Sequence, residues 1–125
     1  MRKKVLLLGS TGSIGRSSLN IIRNYKSKLE IVALSTNKNI RLIIKQSKEF
    51  KVKNLIINDF ENYKKVLQYG LNKKIRIFNN ISDFLKNNKK KFDVTIVGIS
   101  GFEGLDPTLK VIPYSKNLSS ANKES

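Results

Sequence analysis

The chain has 125 residues with a formal net charge of +16, from 25 lysines and arginines against 9 acidic residues, and it contains neither cysteine nor histidine. Without cysteine it has no disulfide, thiolate metal site or cysteine nucleophile, and without histidine it lacks the commonest general base and metal ligand. The length suits one domain with its own core. Because no apolar run reaches membrane-spanning length and Val5–Leu8 is too short for a signal-peptide core, we expect a cytoplasmic protein without membrane contact.

The first element is a short apolar run, Val5–Leu8, which ends at a glycine and is followed by two more glycines at three-residue spacing. The run predicts a strand buried on both faces, as in a parallel sheet. Gly9 allows a tight turn, Gly12 leaves room for a phosphate, and Gly15 lets the next helix lie close to the sheet. Because free N–H groups at a helix start favour a pyrophosphate, the segment predicts a nucleotide site. A glycine-rich turn without a ligand is the alternative.

A helix is predicted over Ile14–Tyr25 and a second strand over Glu30–Ser35. The stripe that we expect to face inward on this helix is apolar: Ile14, Leu19, Ile21 and Ile22. Strand, helix and strand then form one βαβ unit, with parallel strands and a right-handed crossover.

The residues after the second strand, Ser35–Asn39, contain no acid. A dinucleotide fold that prefers NAD usually carries Asp or Glu here, where it bonds the ribose 2′-hydroxyl. Lys38 would instead attract a 2′-phosphate, and the side chains of Thr36, Asn37 and Asn39 can donate hydrogen bonds. The segment therefore favours NADP over NAD, although Lys38 could also be one solvated lysine among many.

The middle of the chain continues the alternation of helices and strands. The predicted elements are a helix over Ile40–Phe50, a strand over Asn54–Asn58, a helix from Asp59 to about Tyr69, a strand over Ile75–Phe78 and a helix over Ile81–Asn88. Asp59 and Ser82 are the predicted N-caps, and Gly70 is the predicted C-terminal glycine of the third helix. Lys89–Lys91 is predicted to be a solvated loop rather than a binding patch.

Another buried strand is predicted over Phe92–Val97, and three glycines follow at three-residue spacing: Gly98, Gly101 and Gly104. Ligands of open α/β sheets bind beyond the carboxyl ends of the strands, so this second glycine segment should face the same crevice as the first, unless it is a plain flexible turn. Asp106 and Pro107 predict the start of a short helix, and Leu118–Ala121 predicts a last strand. The whole pattern predicts one domain over 1–125 of the α/β class, Rossmann-like and doubly wound, with a mainly parallel sheet and helices on both faces.

Three stretches in this order, Gly9–Gly15, Gly104–Leu109 and Ala121–Ser125, go beyond a general dinucleotide fold. Together they resemble the 1-deoxy-D-xylulose 5-phosphate reductoisomerases, which use NADPH to make 2-C-methyl-D-erythritol 4-phosphate in isoprenoid biosynthesis. The resemblance covers the whole chain but only about the N-terminal third of that family's length. It implies the N-terminal portion of a longer NADPH-dependent oxidoreductase and isomerase.

The resemblance also assigns roles by position. It implies that the NADPH diphosphate is held by Thr11, Gly12, Ser13 and Ile14. It implies that the 2′-phosphate end of the cofactor is met by Asn37, Lys38 and Asn39. Asn122 and Glu124 would touch the cofactor near the nicotinamide, and Lys123 would bind the substrate.

The family further implies a homodimer, a sugar-phosphate substrate, and a divalent Mg or Mn ion whose acidic ligands lie further along the full-length enzyme. We therefore expect no catalytic residue or metal ligand in this segment, and no turnover by the segment alone. Two other functions stay open. The charge of +16 is compatible with a cationic module that binds nucleic acid or another polyanion, and the glycine turn also occurs in other NADP-dependent dehydrogenases.

Overall fold

Strands and helices alternate along the described part of the chain, which in this computed structural model comprises residues 2–70, 73–88, 92–98 and the backbone of 118–120. The strands are β1 Lys3–Leu8, β2 Leu29–Thr36, β3 Asn54–Ile57, β4 Arg76–Phe78, β5 Val94–Val97 and β6 Leu118–Ser120. The helices of the described part are α1 Ser13–Ile22, α2 Ile40–Phe50, α3 Phe60–Gln68 and α4 Ile81–Lys86. A short 3₁₀ helix, Arg23–Tyr25, follows α1 directly.

The strands form one six-stranded sheet in the order β4-β3-β2-β1-β5-β6, and every neighbouring pair is parallel. The chain first builds outward from β1 to β4 and then crosses back to place β5 on the other side of β1. In register, Val5 of β1 lies beside Ile31 of β2 and Val94 of β5. The order therefore reverses between β1 and β5, and the predicted doubly wound parallel sheet is confirmed.

Both faces of the sheet are covered by helices. Val5 and Leu7 of β1 share one core cluster with buried residues of α1, α2 and α3, among them Leu19, Ile43 and Val66. The other core cluster joins the alternate residues of β1 to α4 and to the segment just before β5: Leu6, Leu8, Ile81, Phe84, Leu85 and Phe92. Because β1 is packed against a helical layer on each side, its sequence is apolar without alternation, as predicted.

The inward face of α1 differs from the prediction. Leu19 and Ile22 are buried as expected, but Ile14 is 44% exposed and Ile21 is 64% exposed. Gly15, Leu19 and Ile22 recur at helical spacing and face the sheet, so the residues one position earlier lie on the flank of the helix. The predicted inward positions of Ile14 and Ile21 are therefore wrong.

The helix caps agree with the prediction in two of three cases. The Asp59 Oδ2 atom accepts a hydrogen bond from the Asn62 N–H at 3.0 Å, and Gly70, with a φ of +65°, follows the C-cap residue of α3. The predicted N-cap Ser82 is wrong. Asn80 caps α4 instead, because its Oδ1 atom accepts from the Asp83 N–H at 2.8 Å.

Several predicted features lie outside the described residues: the Lys89–Lys91 loop, the glycines Gly101 and Gly104, and the helix that begins at Asp106 and Pro107. The last predicted strand is present as β6, Leu118–Ser120, beside β5. Within the described ranges, no helix has the length and apolar character needed to cross a membrane.

Candidate functional site

The glycine turn, which we define as Gly9–Gly15, joins β1 to the start of α1 at the carboxyl edge of the sheet. Gly9 has a φ of 78°, a left-handed conformation that favours glycine. A Cβ atom on Gly15 would come within 2.6 Å of the Ser10 Cα atom and nearer still to the Gly9 carbonyl oxygen. The first turn of α1 therefore packs directly on the backbone of the glycine turn, which confirms the tight turn at Gly9 and the close approach at Gly15.

Gly12 differs from the other two glycines of the turn. It is the N-cap of α1 with a φ of −77°, which any residue can adopt. A Cβ atom there would make only ordinary contacts, at 3.8 Å from the carbonyl oxygens of Gly9 and Gly98. The packing of the described residues thus tolerates a side chain at Gly12.

The N-terminus of α1 carries no side-chain cap and no acidic residue in its first turn. The first N–H groups of a helix have no partner within the helix, and they form its positive end. The Arg16 side chain lies at the same place, where its Nε atom donates to the Gly12 carbonyl oxygen at 3.4 Å. This arrangement of amides and guanidinium suits a bound anion.

The end of β5 closes the other side of the turn. The Gly98 N–H donates to the Leu8 carbonyl oxygen at 2.8 Å. A Cβ atom on Gly98 would lie 3.3 Å from both the Gly15 nitrogen and the Leu8 oxygen. The strand order reverses at this point, so Gly98 lies beside the glycine turn in the crevice where α/β sheets bind ligands, as predicted for the first glycine of the second segment.

A buried polar cluster that the sequence analysis missed holds the glycine turn in place. Its members are Ser10, Ser35 and Gln46, and all three side chains are buried. The Ser10 Oγ atom donates to Gln46 Oε1 at 2.8 Å, and Gln46 Nε2 donates to the Ser10 carbonyl oxygen at 3.0 Å. The Ser35 Oγ atom accepts from the Gly9 N–H at 2.8 Å, and the Ser35 carbonyl oxygen accepts from the Ser10 N–H at 2.8 Å.

One signal in the sequence could have indicated this cluster. Gln46 falls on the inward face of α2, in the same stripe as Ile40 and Ile43, where an uncharged polar residue must find a partner. The identity of that partner depends on tertiary contacts between α2 and the glycine turn, so helical spacing alone does not predict it.

The residues assigned to the diphosphate lie next to the end of β2. The hydroxyl oxygens of Thr11 and Thr36 are 2.6 Å apart, and Thr11 is only partly exposed. Gly12, Ser13 and Ile14 follow at the exposed N-terminus of α1. The fold therefore brings these four residues together at one edge of the sheet.

The β2 loop, Asn37–Asn39, is exposed and follows β2 at the same edge. The Asn39 Oδ1 atom accepts from the Leu42 N–H at 3.2 Å and so caps α2. The Asn37 carbonyl oxygen accepts from the Asp59 N–H at 3.1 Å, which joins the loop to the end of β3. The sequence analysis missed both contacts, and they show what fixes the backbone of the loop.

The carboxylate of Asp59, which follows β3, also lies near the β2 loop. Hydrogen bonds from the backbone and side chain of Asn62 hold the pKa of Asp59 below its ordinary value, and the charges of Lys38 and Lys65 lower it further. Asp59 is therefore an ionised helix cap beside Lys38. Although Ser35–Asn39 contains no acidic residue, Lys38 therefore has a negative charge nearby.

The residues predicted to lie near the nicotinamide and the substrate are not tested by the described part of the chain. Asn122, Lys123 and Glu124 lie outside it. Within the described ranges, no cluster of three or more carboxylate, histidine or cysteine side chains could hold a metal ion.

The parallel sheet, the reversal of strand order between β1 and β5, and the glycine turn at that reversal define the class of the fold. It is a Rossmann-like α/β domain. The family model for 1-deoxy-D-xylulose 5-phosphate reductoisomerase matches residues 5–125. The chain belongs to this family.

Reductoisomerases from several bacteria are similar to this chain along nearly all of its length. The protein from Pelagibacter ubique is 42% identical over 125 residues, covering 98% of this chain and 32% of that protein. The protein from Caldanaerobacter subterraneus is 38% identical over 122 residues, covering 98% and 32%. The chain thus spans about a third of the length of the curated relatives it matches.

Solved structures of reductoisomerases have the same fold. The enzyme from Zymomonas mobilis in complex with NADPH superposes with a TM-score of 0.88 at 28% identity, over 100% of this chain and 33% of that one. A DOX-P reductoisomerase in complex with NADPH, fosmidomycin and magnesium gives a TM-score of 0.82 at 29% identity, over 98% and 31%.

Proposed function

We propose that this chain is the NADPH-binding N-terminal portion of a longer 1-deoxy-D-xylulose 5-phosphate reductoisomerase. The observation that carries the proposal is the packing of Gly15 on Gly9 at the reversal of strand order, where the uncapped N-terminus of α1 opens to solvent. Relatives that match this chain along nearly its full length carry that enzyme's name, and two of the matching structures are complexes with NADPH.

The glycine turn would hold the diphosphate. The N–H groups of Ser13 and Ile14 stand at the positive end of α1, and the Thr11 hydroxyl lies at the side of the turn. Neither the backbone conformation nor the packing of Gly12 requires a glycine, so close approach of a phosphate supplies a reason for one. Arg16, which donates to the Gly12 carbonyl oxygen, would add positive charge beside the same phosphates.

The β2 loop would select the phosphorylated cofactor. Lys38 is exposed and would pair with the 2′-phosphate, with Asn37 beside it. The cap on α2 uses only the Oδ1 atom of Asn39, so its Nδ2 amide can still donate to a phosphate oxygen. The negative charge of Asp59 near Lys38 opposes an incoming phosphate, so the preference for NADPH depends on the attraction of Lys38 outweighing this carboxylate.

The remaining assignments complete the proposal for the longer enzyme. Asn122 and Glu124 would lie near the nicotinamide, and Lys123 would bind the sugar-phosphate substrate. When bound, NADPH supplies the hydride that reduces a carbonyl group. We place the divalent metal, its acidic ligands and the homodimer contacts in the rest of the enzyme, so this chain alone should bind cofactor without turnover.

Titration of the chain with NADPH and NADH at two salt concentrations tests the proposal. NADPH should bind more tightly than NADH at both, because a pocket recognises the 2′-phosphate. A folded chain that binds neither cofactor would refute the proposal. An assay of NADPH oxidation with substrate and Mg²⁺ should give no turnover by this chain.

The charge of +16 supports a second candidate, a module that binds nucleic acid. Binding to a nucleic acid releases counterions, so its affinity should fall steeply as salt increases. A titration with a short duplex at the same two salt concentrations separates the two functions. Tight duplex binding with this dependence, together with no preference for NADPH, would favour the second candidate.

A further inference from the structure

We propose that Gln46 is a positioning residue that sets the spacing between the glycine turn and the β2 loop, so that one ligand contacts both. The proposal rests on the proposed function, because it concerns how the two parts of that cofactor site are held together. Gln46 itself is buried on α2 and belongs to neither part.

The contact between Gln46 and the glycine turn is reciprocal. Its Nε2 atom donates to the Ser10 carbonyl oxygen at 3.0 Å, and its Oε1 atom accepts from the Ser10 hydroxyl at 2.8 Å. Only a side chain with a donor and an acceptor on one planar group makes both bonds to one residue. Ser10 is fully buried, so neither bond is replaced easily by water.

The same helix also carries the end of the β2 loop. Asn39 is the N-cap of α2, and Lys38 precedes it directly. A helix is stiff along its axis, so a tether at Gln46 fixes where its first residue lies relative to Ser10. Ser35 holds the turn from the strand side, through hydrogen bonds to Gly9 and Ser10. The turn and the loop are therefore linked through α2 as well as through β2.

This link has a consequence that depends on the ligand. A ligand with two phosphates gains from a fixed spacing, because binding of one phosphate places the second at its site. A ligand with one phosphate gains nothing from the spacing. Loss of the tether should therefore weaken the binding of 2′,5′-ADP, which carries the 5′- and the 2′-phosphate, more than the binding of 5′-AMP or 2′-AMP.

The test compares these three nucleotides on the wild-type chain and on Gln46→Met, which keeps a similar length and removes both hydrogen bonds. We expect the affinity for 2′,5′-ADP to fall roughly tenfold, in the range of typical coupling between sites. Affinities for 5′-AMP and 2′-AMP should change by less than about twofold. The same substitution at Gln68, exposed at the end of α3, is the matched control and should change none of the three.

A second variant covers the case in which Gln46→Met does not fold, as judged by circular dichroism. Ser10→Ala removes the bond from the Ser10 hydroxyl to Gln46 Oε1 and its longer bond, at 3.3 Å, to the Ser35 carbonyl oxygen. It keeps the bond from Gln46 Nε2 to the Ser10 carbonyl oxygen, so it should give a smaller loss of the same selectivity. If the affinities for all three nucleotides fall equally, or do not fall, the positioning role is overturned and the proposed cofactor site is not. Failure of the folded wild-type chain to bind any of them would instead refute the proposed function, and the positioning role with it.

Discussion

The glycine turn and the β2 loop lie side by side at the edge of the sheet, but they are built differently. The conformation of the turn depends on its backbone. Gly9 adopts a left-handed φ, Gly15 packs on the backbone of Gly9 and Ser10, and the buried side chain of Gln46 holds Ser10 by hydrogen bonds. The β2 loop is exposed, and its backbone is fixed by the Asn39 cap, by a bond from the Asp59 N–H and by a bond from the Ile40 N–H to the Lys38 carbonyl oxygen. Under the proposed function, the turn would therefore bind the diphosphate common to all dinucleotides through its backbone shape, and the β2 loop would select the phosphorylated cofactor through its side chains.

The largest effect is expected where the backbone of the turn leaves no room. Gly15→Ala should destabilise the chain by about 3 kcal/mol, because the new methyl group would overlap the Gly9 and Ser10 backbone. Urea unfolding followed by circular dichroism measures this change. An unchanged unfolding midpoint would contradict the tight packing of α1 on the turn.

Gly12→Ala separates binding from folding within the same turn. Its Cβ atom would meet only ordinary contacts, so the free energy of unfolding should fall by no more than about 1 kcal/mol, which is roughly what alanine costs relative to glycine at an N-cap. NADPH binding should weaken by about 2 kcal/mol, the cost of forcing a methyl group against a bound phosphate. Fluorescence titration with NADPH measures it, and unaltered affinity would show that no phosphate approaches Gly12.

Lys38→Met tests whether a side chain of the β2 loop selects the phosphorylated cofactor. NADPH should lose about 1 kcal/mol of binding energy through loss of the bond to the 2′-phosphate, and NADH should be unaffected. Lys65→Met is the matched control, because Lys65 is also exposed and also acts on Asp59. Equal effects of the two variants on the ratio of NADPH to NADH affinity would argue against a specific role for Lys38.

The smallest effect concerns the far ends of the two helices that carry the turn and the loop. Arg23 and Glu49 form a bidentate ion pair there, with Arg23 Nη2 and Glu49 Oε1 at 3.0 Å. The hydrogen bond from Arg23 lowers the pKa of Glu49 below its ordinary value of 4.5. The unfolded chain then binds more protons in this range, so the stability from the pair is present above that value and is lost as pH falls through the lowered pKa.

Glu49→Gln should therefore lose less stability than the wild type as the pH falls from about 6 to 3, measured as the urea midpoint at each pH. Glu61→Gln removes a carboxylate outside this pair and serves as the control. NADPH affinity should stay constant in Glu49→Gln near neutral pH, since Glu49 lies in the last turn of α2, away from the carboxyl edge of the sheet. If the urea midpoints of Glu49→Gln and the wild type fall equally as the pH is lowered, the ion pair makes no contribution.

The sequence predicted those features that depend on local chemistry. The apolar run before Gly9, the glycine spacing and the cap at Asp59 each follow from a few neighbouring residues, and the structure has all three. The positions of Ile14 and Ile21 were wrong because a broad apolar stripe does not define which side of it meets the sheet. The partner of Gln46 depends on how α2 packs against the glycine turn, and no local pattern encodes that packing.

The position of β1 has a consequence for biosynthesis. Val5 is translated long before Val94, which is one of its two neighbours in the sheet. Until then one edge of the first strand has no partner, and the wall formed by Gly98 is missing from the crevice. The crevice is therefore complete only after most of the domain has been made, and earlier folding relies on the pairing of β1 with β2, of β2 with β3 and of β3 with β4.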